Sequence, residues 1–128
     1  MFELEGLDHV AFAVADVKRS ADWYVEVLGF EHRYQGMWNG VPLFVGKGNT
    51  AIAIFPKRSK TDSGTRSEAS AGMLHLAMRA NRENFIAAQQ ALTARGINFH
   101  FQDHEISHSI YFEDLDGIRL EITTYELS

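Results

Sequence analysis

The sequence predicts an α+β fold made of two consecutive βαβββ modules whose mixed, curled sheets form a cup. Its 128 residues suit one compact domain with a hydrophobic core. Two strand-like runs, LDHVAFAV and MLHLAMRA, each place a histidine before a large aliphatic residue and an alanine, at His9 and His75. These histidines are 66 positions apart (75 minus 9). The repeat predicts modules at residues 1–56 and 72–128, joined by a polar linker at 57–71.

The first module begins with the strand-like run LDHVAFAV. Asp16 then supplies an N-cap oxygen for a helix over VKRSADWYVEVL, and Gly29 ends that helix as a C′ residue. Three β-rich runs follow, separated by turn-forming residues: FEHRYQ, VPLFVGKG and TAIAIFP.

The second module repeats this order of elements. MLHLAMRA reads as a strand, Asn81 as the cap of a helix over RENFIAAQQALTAR, and Gly96 as its end. Three further strands are predicted at INFHFQD, HSIYFED and GIRLEITTYE, with LDG turning the last hairpin.

Composition excludes several classes of protein and predicts a cytoplasmic one. A formal charge of −5 offers no basic patch, so neither nucleic acid nor an anionic membrane is an expected partner. No apolar run predicts a transmembrane span, and the first residues lack the layout of a signal peptide. The chain has no cysteine, which removes disulfides, thiolate metal sites and cysteine nucleophiles.

Strand alternation places two histidines and one carboxylate on the faces away from the helices. His9 shares its face with Ala11 and Ala13, and His75 shares its face with Ala77 and Arg79, whereas Leu74, Leu76 and Met78 are expected to face the second helix. In the last strand Glu121 lies opposite the core-facing Leu120 and Ile122.

A cup lined by His9, His75 and Glu121 provides a facial triad for a divalent metal, with open coordination positions. Without thiolates, Fe(II), Mn(II), Ni(II) and Zn(II) all suit these ligands. Taken singly, each histidine also suits a hydrogen-bonded structural role, and Glu121 suits an exposed strand carboxylate.

The chain resembles the vicinal oxygen chelate superfamily along essentially its whole length. That family includes glyoxalase I, extradiol dioxygenases, fosfomycin-resistance enzymes, methylmalonyl-CoA epimerases and bleomycin-binding proteins. The matching stretches are LDHVAFAVADVKRSADWYVEVLGF, MLHLAM and SIYFEDLDGIRLEITTYEL, in which Leu115 replaces the family's usual proline. The resemblance implies a divalent metal held by His9, His75 and Glu121, and a homodimer with two such sites, each formed either within one chain or with His9 from one chain and the other two ligands from its partner.

Glyoxalase I has a second carboxylate on the last strand of its first module, where it also serves as a base. Ala53 stands at the corresponding position here, and NTAIAIFP contains no acid. Glyoxalase and epimerase chemistry both move a proton between carbons and need that base, so this absence disfavours them.

Extradiol dioxygenases are the family members that the remaining residues resemble most. They carry a tyrosine ten residues before the ligand glutamate, and Tyr111 has that spacing from Glu121. Their proton-transferring histidine lies a few residues earlier, where Gln102 is the closest match and His104 and His108 are the nearby candidates. The resemblance therefore implies an Fe(II) or Mn(II) enzyme acting on a catechol-like substrate.

Two other functions stay open. Fosfomycin-resistance enzymes carry a threonine where Ala11 stands, and their phosphonate-binding residues are not recognisable, with only Arg79 and Arg119 as basic residues near the cup. A lyase or transferase acting on a vicinal-oxygen substrate remains an alternative. A metal-free binding protein, as in the bleomycin-binding members, is a third, although burying the triad without a metal is costly.

Overall fold

Two βαβββ units follow each other along the chain. The computed structural model describes residues 1–58 and 72–128, and the chain divides into units at 1–64 and 65–128. In the described residues each unit has one α-helix and one four-stranded mixed sheet, which confirms the predicted α+β class and the doubled order of elements. The predicted linker lies outside the described residues from position 59 to 71.

The first unit has the strand order β1-β4-β3-β2. β1 and β4 are parallel, whereas β4, β3 and β2 are antiparallel neighbours. The elements are β1 (Val10–Val14), α1 (Val17–Leu28), β2 (Glu31–Arg33), β3 (Leu43–Lys47) and β4 (Thr50–Pro56).

The second unit has the equivalent order β5-β8-β7-β6. Again the first pair is parallel and the other pairs are antiparallel. The elements are β5 (Leu76–Arg79), α2 (Arg82–Ala94), β6 (His100–Asp103), β7 (His108–Glu113) and β8 (Arg119–Thr124).

Both helices begin at the residues that the sequence predicts, and α1 ends as predicted at Leu28, whereas α2 ends at Ala94, one residue before its predicted end. The side chain of Asp16 accepts a hydrogen bond from the backbone N–H of Arg19, and that of Asn81 accepts one from Asn84. Gly29, with φ of 71°, donates its N–H to the last turn of α1. Caps of this kind fix where each helix starts, and hence which strand residues it covers.

The helix-facing side of each sheet is the core. In the first unit Val14, Ile52 and Ile54 are fully buried beside Tyr24 of α1. In the second, the fully buried set comprises Ile110, Ile118, Leu120, Phe85 and Leu92. The predicted alternation therefore holds for the central strands.

Two details differ from the sequence interpretation. His9 and His75 each lie one residue before a strand, because pairing begins at Val10 and at Leu76. Leu74, predicted to face the core, is 69% exposed because it precedes the paired region. Within the described part of the chain, no helix is long and apolar enough to cross a membrane.

Candidate functional site

A histidine and a buried carboxylate meet in the second unit. The Nε2 atom of His75 lies 3.0 Å from Oε1 of Glu121, and the two side chains are 37% and 10% exposed. β8 holds Glu121 in register with Ala77 on one side and Tyr111 on the other. Because alanine has no side chain beyond Cβ, the histidine that precedes β5 can reach the carboxylate.

A serine on the neighbouring strand holds the other oxygen of Glu121. Ser109 Oγ is fully buried and donates to Oε2 across 2.6 Å. It also lies 3.0 Å from the hydroxyl of Thr123. A buried carboxylate needs such partners, since without them burial would favour its neutral form. Ser109 therefore keeps Glu121 oriented and leaves Oε1 directed at His75.

The His75–Glu121 pair suits two ligands of one divalent ion. Metal–nitrogen and metal–oxygen bonds of about 2.1 Å at a right angle separate the donor atoms by about 3.0 Å, which matches the observed spacing. Within residues 1–58 and 72–128, however, no group of three or more histidine or carboxylate side chains forms a metal-binding cluster. His75 and Glu121, which are in direct contact here, thus stay two candidate ligands, and a site with three ligands would need a third from elsewhere.

Tyr111 lies beside this pair. It is the residue on β7 directly opposite Glu121, and its ring centre is 5.8 Å from that of His75. The guanidinium of Arg119 lies 4.7 Å from the centre of the same ring. The alternation predicted from the sequence thus brings Tyr111, Glu121 and His75 together on one face.

A tight turn brings His104 to Tyr111. Its Nε2 atom lies 2.9 Å from the tyrosine hydroxyl. The turn closes by a bond from the backbone N–H of His104 to the carbonyl of Ser107, with Glu105 in the left-handed region at φ of 73°. This contact between residues on a turn and on a strand allows a proton to pass between phenol and imidazole.

The surroundings of Tyr111 keep its phenol protonated. Burial raises the pKa of Tyr111 above its ordinary value, and the nearby charge of Glu121 raises this pKa further. The direction of the Tyr111–His104 hydrogen bond follows the imidazole tautomer: Nε2 accepts from the phenol when the ring proton is on Nδ1, and donates to the phenol oxygen when that proton is on Nε2.

His108, the other candidate for proton transfer, is not beside Tyr111. It lies on the helix-facing side of β7, where Nδ1 is 2.9 Å from a guanidinium nitrogen of Arg82. Its ring packs against Phe101 at 5.2 Å between centres. The side chain is only 18% exposed, so it packs between strand and helix residues and is not a surface histidine.

His9 lies in the first unit, with one ring nitrogen already bonded. Nδ1 donates to the carboxylate of Asp8 across 2.8 Å. In the neutral ring this leaves the lone pair on Nε2 available, and a carboxylate in this position is a common outer partner of metal-binding histidines. His9 also packs edge-on against Phe44, with 5.3 Å between ring centres.

Sequence reasoning missed three features of these surroundings. Ser109 as the partner of Glu121 was readable from the spacing, because it shares a face with Tyr111. The second is His100, which is exposed but lies directly opposite Tyr111 on β6. The third is a set of aromatic contacts around Phe44, which depends on a loop without periodicity.

Known proteins resemble this chain in sequence and in fold. A sequence profile described as the Glyoxalase/Bleomycin resistance protein/Dioxygenase superfamily matches residues 6–122. A protein named metallothiol transferase FosB from Staphylococcus epidermidis is 27% identical to this chain over 125 residues. The aligned region covers 95% of this chain and 83% of the FosB sequence.

Solved structures show the same fold at lower identity. A glyoxylase/bleomycin resistance protein/dioxygenase domain from Frankia sp. EAN1pec has a TM-score of 0.77 and 24% identity, over 95% of this chain and 93% of its own. TnmS3, an antibiotic binding protein from Streptomyces sp. CB03234, has a TM-score of 0.74 and 19% identity, over 97% of this chain and 98% of the TnmS3 chain. The shared fold carries enzymes and binding proteins alike, so the site residues must decide between them.

Proposed function

Since the chain belongs to the Glyoxalase/Bleomycin resistance protein/Dioxygenase superfamily, we propose that it is a divalent-metal-dependent enzyme that binds a small substrate through two vicinal oxygens. We further propose an extradiol type of reaction, in which dioxygen opens the ring of a catechol-like substrate. The tyrosine–histidine contact beside Glu121 is the observation that supports this proposal.

The proposed ligands are His9, His75 and Glu121. When bound, an ion such as Fe(II) or Mn(II) would hold both oxygens of the substrate, offset its negative charge and permit reaction with dioxygen. Ni(II) or Zn(II) suits the same ligands but is not redox-active in the same way. Ser109 is hydrogen-bonded to Glu121, and Asp8 is hydrogen-bonded to His9. Outer partners of this kind orient the residues that bind a metal.

Tyr111 and His104 supply the proton chemistry. We propose that the hydroxyl of Tyr111 donates to a deprotonated substrate oxygen while Nε2–H of His104, 2.9 Å away, donates to the phenol oxygen, so that a proton can pass from imidazole through phenol to substrate and back. His108 was the alternative for this role, but its bond to Arg82 on the helix side favours His104.

The proposed reaction needs no further reductant. Ring opening breaks the carbon–carbon bond next to one hydroxyl-bearing carbon. The hydroxyl-bearing carbon of the broken bond becomes a carboxylic acid, and the other carbon of that bond, which carries no hydroxyl, becomes an aldehyde or ketone. Both oxygen atoms of dioxygen enter the product, so the substrate is oxidised and dioxygen is reduced.

A homodimer would complete the metal site. Two of the proposed ligands lie in the second unit and His9 in the first. We propose that His9 of one chain joins His75 and Glu121 of another, which gives two sites per dimer. The absence of cysteine favours the cytoplasm as the location of this dimer.

Oxygen uptake tests the proposed reaction. Protein loaded with Fe(II) or Mn(II) is mixed with a panel of catechols in an oxygen electrode, and product is checked for two atoms from labelled dioxygen. Tyr111→Phe and His104→Gln should each lower kcat/KM by about 100-fold. Tyr125→Phe is the matched control, since Tyr125 is exposed and packs on Arg79. No uptake by metal-loaded protein across the panel would contradict the oxygenase proposal.

A thiol transferase is the second candidate, favoured by the similarity to FosB. Such an enzyme would consume a thiol and an electrophilic oxygen substrate without dioxygen. Anaerobic thiol consumption with fosfomycin, dependent on added metal, would support it. Fosfomycin-resistance enzymes carry a threonine where Ala11 stands, and their phosphonate-binding residues are not recognisable in this sequence, which is why we place this function second.

A further inference from the structure

The first unit carries an aromatic cluster on the face of its sheet. The rings of Tyr34, Trp38 and Phe44, termed here the aromatic wall, are mutually in contact, with 5.2 to 5.8 Å between centres. Phe44 is also in contact with His9. The wall therefore begins beside a proposed metal ligand and extends away from it.

Two members of the wall are far more exposed than aromatic residues in a core. Tyr34 is 58% exposed and Trp38 is 49% exposed, and Met37 between them is 51% exposed. Grouped exposed apolar side chains mark surfaces that bind something. Aromatic rings can also accept a flat ring with a gain beyond the area that they bury.

The backbone of this loop is held in an uncommon conformation. Tyr34 and Trp38 both have φ of 55°, and Asn39 has φ of 54°. Bulky residues rarely adopt this left-handed region, and residues that do so cluster at ligand sites. Here the conformation keeps two aromatic rings beside Phe44, on the same side of the sheet.

A cavity lies next to the wall. It has a volume of about 880 Å³, and its lining includes Tyr34 and Phe44 of the wall with Asp8 and Arg33, whereas Trp38 lies outside the lining and adjoins the cavity through its contacts with those two rings. This is within the usual size range of small-molecule pockets. On the sheet, Phe44 is paired with Ala53 of β4, which is paired in turn with Ala11 of β1. Because both alanine side chains are single methyl groups, they leave space beside the Phe44 ring.

The side chain of Arg33, which lines the cavity, is held in place. The guanidinium of Arg33 donates to the carbonyl of Gly48 across 2.9 Å. A Cβ at Gly46 would lie 2.8 Å from Cζ of Arg33, so the glycine permits this position. The cavity thus combines two aromatic rings with polar side chains that also include Glu5 and Asn49.

We propose that the aromatic wall is a stacking subsite that selects flat substrates with at least two fused aromatic rings. A single catechol ring bound through its oxygens beside His9 would reach only Phe44. A second fused ring would extend toward Trp38 and Tyr34. This inference rests on the proposed function for the position of the two substrate oxygens, whereas ring stacking does not itself need the metal.

Calorimetric titration of metal-free protein tests the subsite. Catechol and 2,3-dihydroxynaphthalene are titrated into the wild type, Trp38→Ala, Trp38→Phe and Tyr34→Ala, with Trp23→Phe as a control on α1. We expect the wild type to bind the naphthalene diol at least tenfold more tightly than catechol. Trp38→Ala and Tyr34→Ala should each remove most of that preference, whereas Trp38→Phe and Trp23→Phe should keep it.

The outcomes separate this inference from the proposed function. Equal binding of the two diols by the wild type, or an unchanged preference in both alanine variants, would overturn the subsite. A loss of self-association in Trp38→Ala, seen by sedimentation with diol preference intact, would also overturn it, since the wall would then be a subunit contact. Metal-free protein that prefers the naphthalene diol would support the subsite. If the metal-loaded protein also consumed no oxygen, the subsite would stand and the oxygenase proposal would be contradicted.

Discussion

The two units have the same topology but carry different chemistry at equivalent positions. In the second unit, one row across the sheet contains Ala77, Glu121, Tyr111 and His100. The equivalent row of the first unit contains Ala11, Ala53, Phe44 and Arg33. Where the second unit has the carboxylate of Glu121, the first therefore has the methyl group of Ala53, and where the second has the phenol of Tyr111, the first has the phenyl ring of Phe44.

The histidines before the first strands keep equivalent contacts despite this difference. His9 meets Phe44 edge-on at 5.3 Å, and His75 meets Tyr111 edge-on at 5.8 Å. One repeated backbone therefore holds an imidazole against an aromatic ring twice. We interpret the second unit as the source of the acid and the proton-transferring groups, and the first as the source of one ligand and the aromatic wall.

The largest expected effect is on stability, when the row of the first unit is given the carboxylate that the row of the second unit has. Ala53→Glu puts a carboxylate at a position that is 1% exposed. Pro42 occupies the place that Ser109 has in the second unit, two residues before the aromatic residue, and proline has no hydroxyl to donate. We expect the free energy of unfolding to fall by about 3 kcal/mol.

Chemical denaturation measures that loss, with Ala51→Glu as the control on the same strand face. Ala51 is partly exposed, so its substitution should cost less than about 1 kcal/mol. If Ala53→Glu is as stable as the control, the idea that Glu121 depends on its buried partners is wrong.

Removing the serine behind Glu121 should have a smaller effect. Ser109→Ala deletes the 2.6 Å hydrogen bond to the carboxylate, and outer partners of this kind change metal affinity by roughly 10- to 100-fold. Mn(II) titration should show weaker binding by at least tenfold. Ser107→Ala, a nearby buried serine, should bind Mn(II) as the wild type does, and equal affinity in both variants would contradict the role of Ser109.

The helix caps should show where the units behave alike. Asp16→Ala and Asn81→Ala each remove one side-chain bond to a backbone N–H, of 3.1 and 2.9 Å. Each should lower the free energy of unfolding by about 1 kcal/mol. Denaturation of the two variants in parallel checks this. A loss in one variant only would show that the scaffolds, and not just their sites, differ in stability.

The smallest expected effect is on pH dependence, measured in metal-free protein. The pKa of Tyr111 is raised from 10.0 by burial and by the Glu121 charge, so its contribution to stability is present below pH 10 and is lost as pH rises through the raised pKa. The wild type should therefore lose stability relative to Tyr111→Phe at alkaline pH. Phenolate absorbance should show a lower pKa for Tyr111 in Glu121→Gln, and an unchanged pKa would contradict the electrostatic cause.

Much of the fold was predictable because local rules fix it. Asp16 and Asn81 cap their helices, Gly29 ends one, and alternation assigns the faces of Glu121 and Tyr111. These features depend on neighbours in sequence or on a period of two.

The rest depends on contacts distant in sequence or on loop conformation. His104 meets Tyr111 only because residues 103–107 form a tight turn. His108 is held by Arg82, a helix residue 26 positions away, which no strand pattern reveals. The rings of Tyr34 and Trp38 are placed by positive φ angles at residues that rarely adopt them, so the wall was not readable from the sequence.

Metal content is the most direct test of the proposed site. The wild type, His9→Gln, His75→Gln and Glu121→Gln are each loaded with Mn(II), desalted and measured, with His32→Gln as a control whose histidine lies 3.5 Å from Asp22. We predict about one ion per chain in the wild type and the control, and less than about a tenth of that in the three ligand variants. Equal metal in all five, with unchanged circular dichroism, would contradict the site.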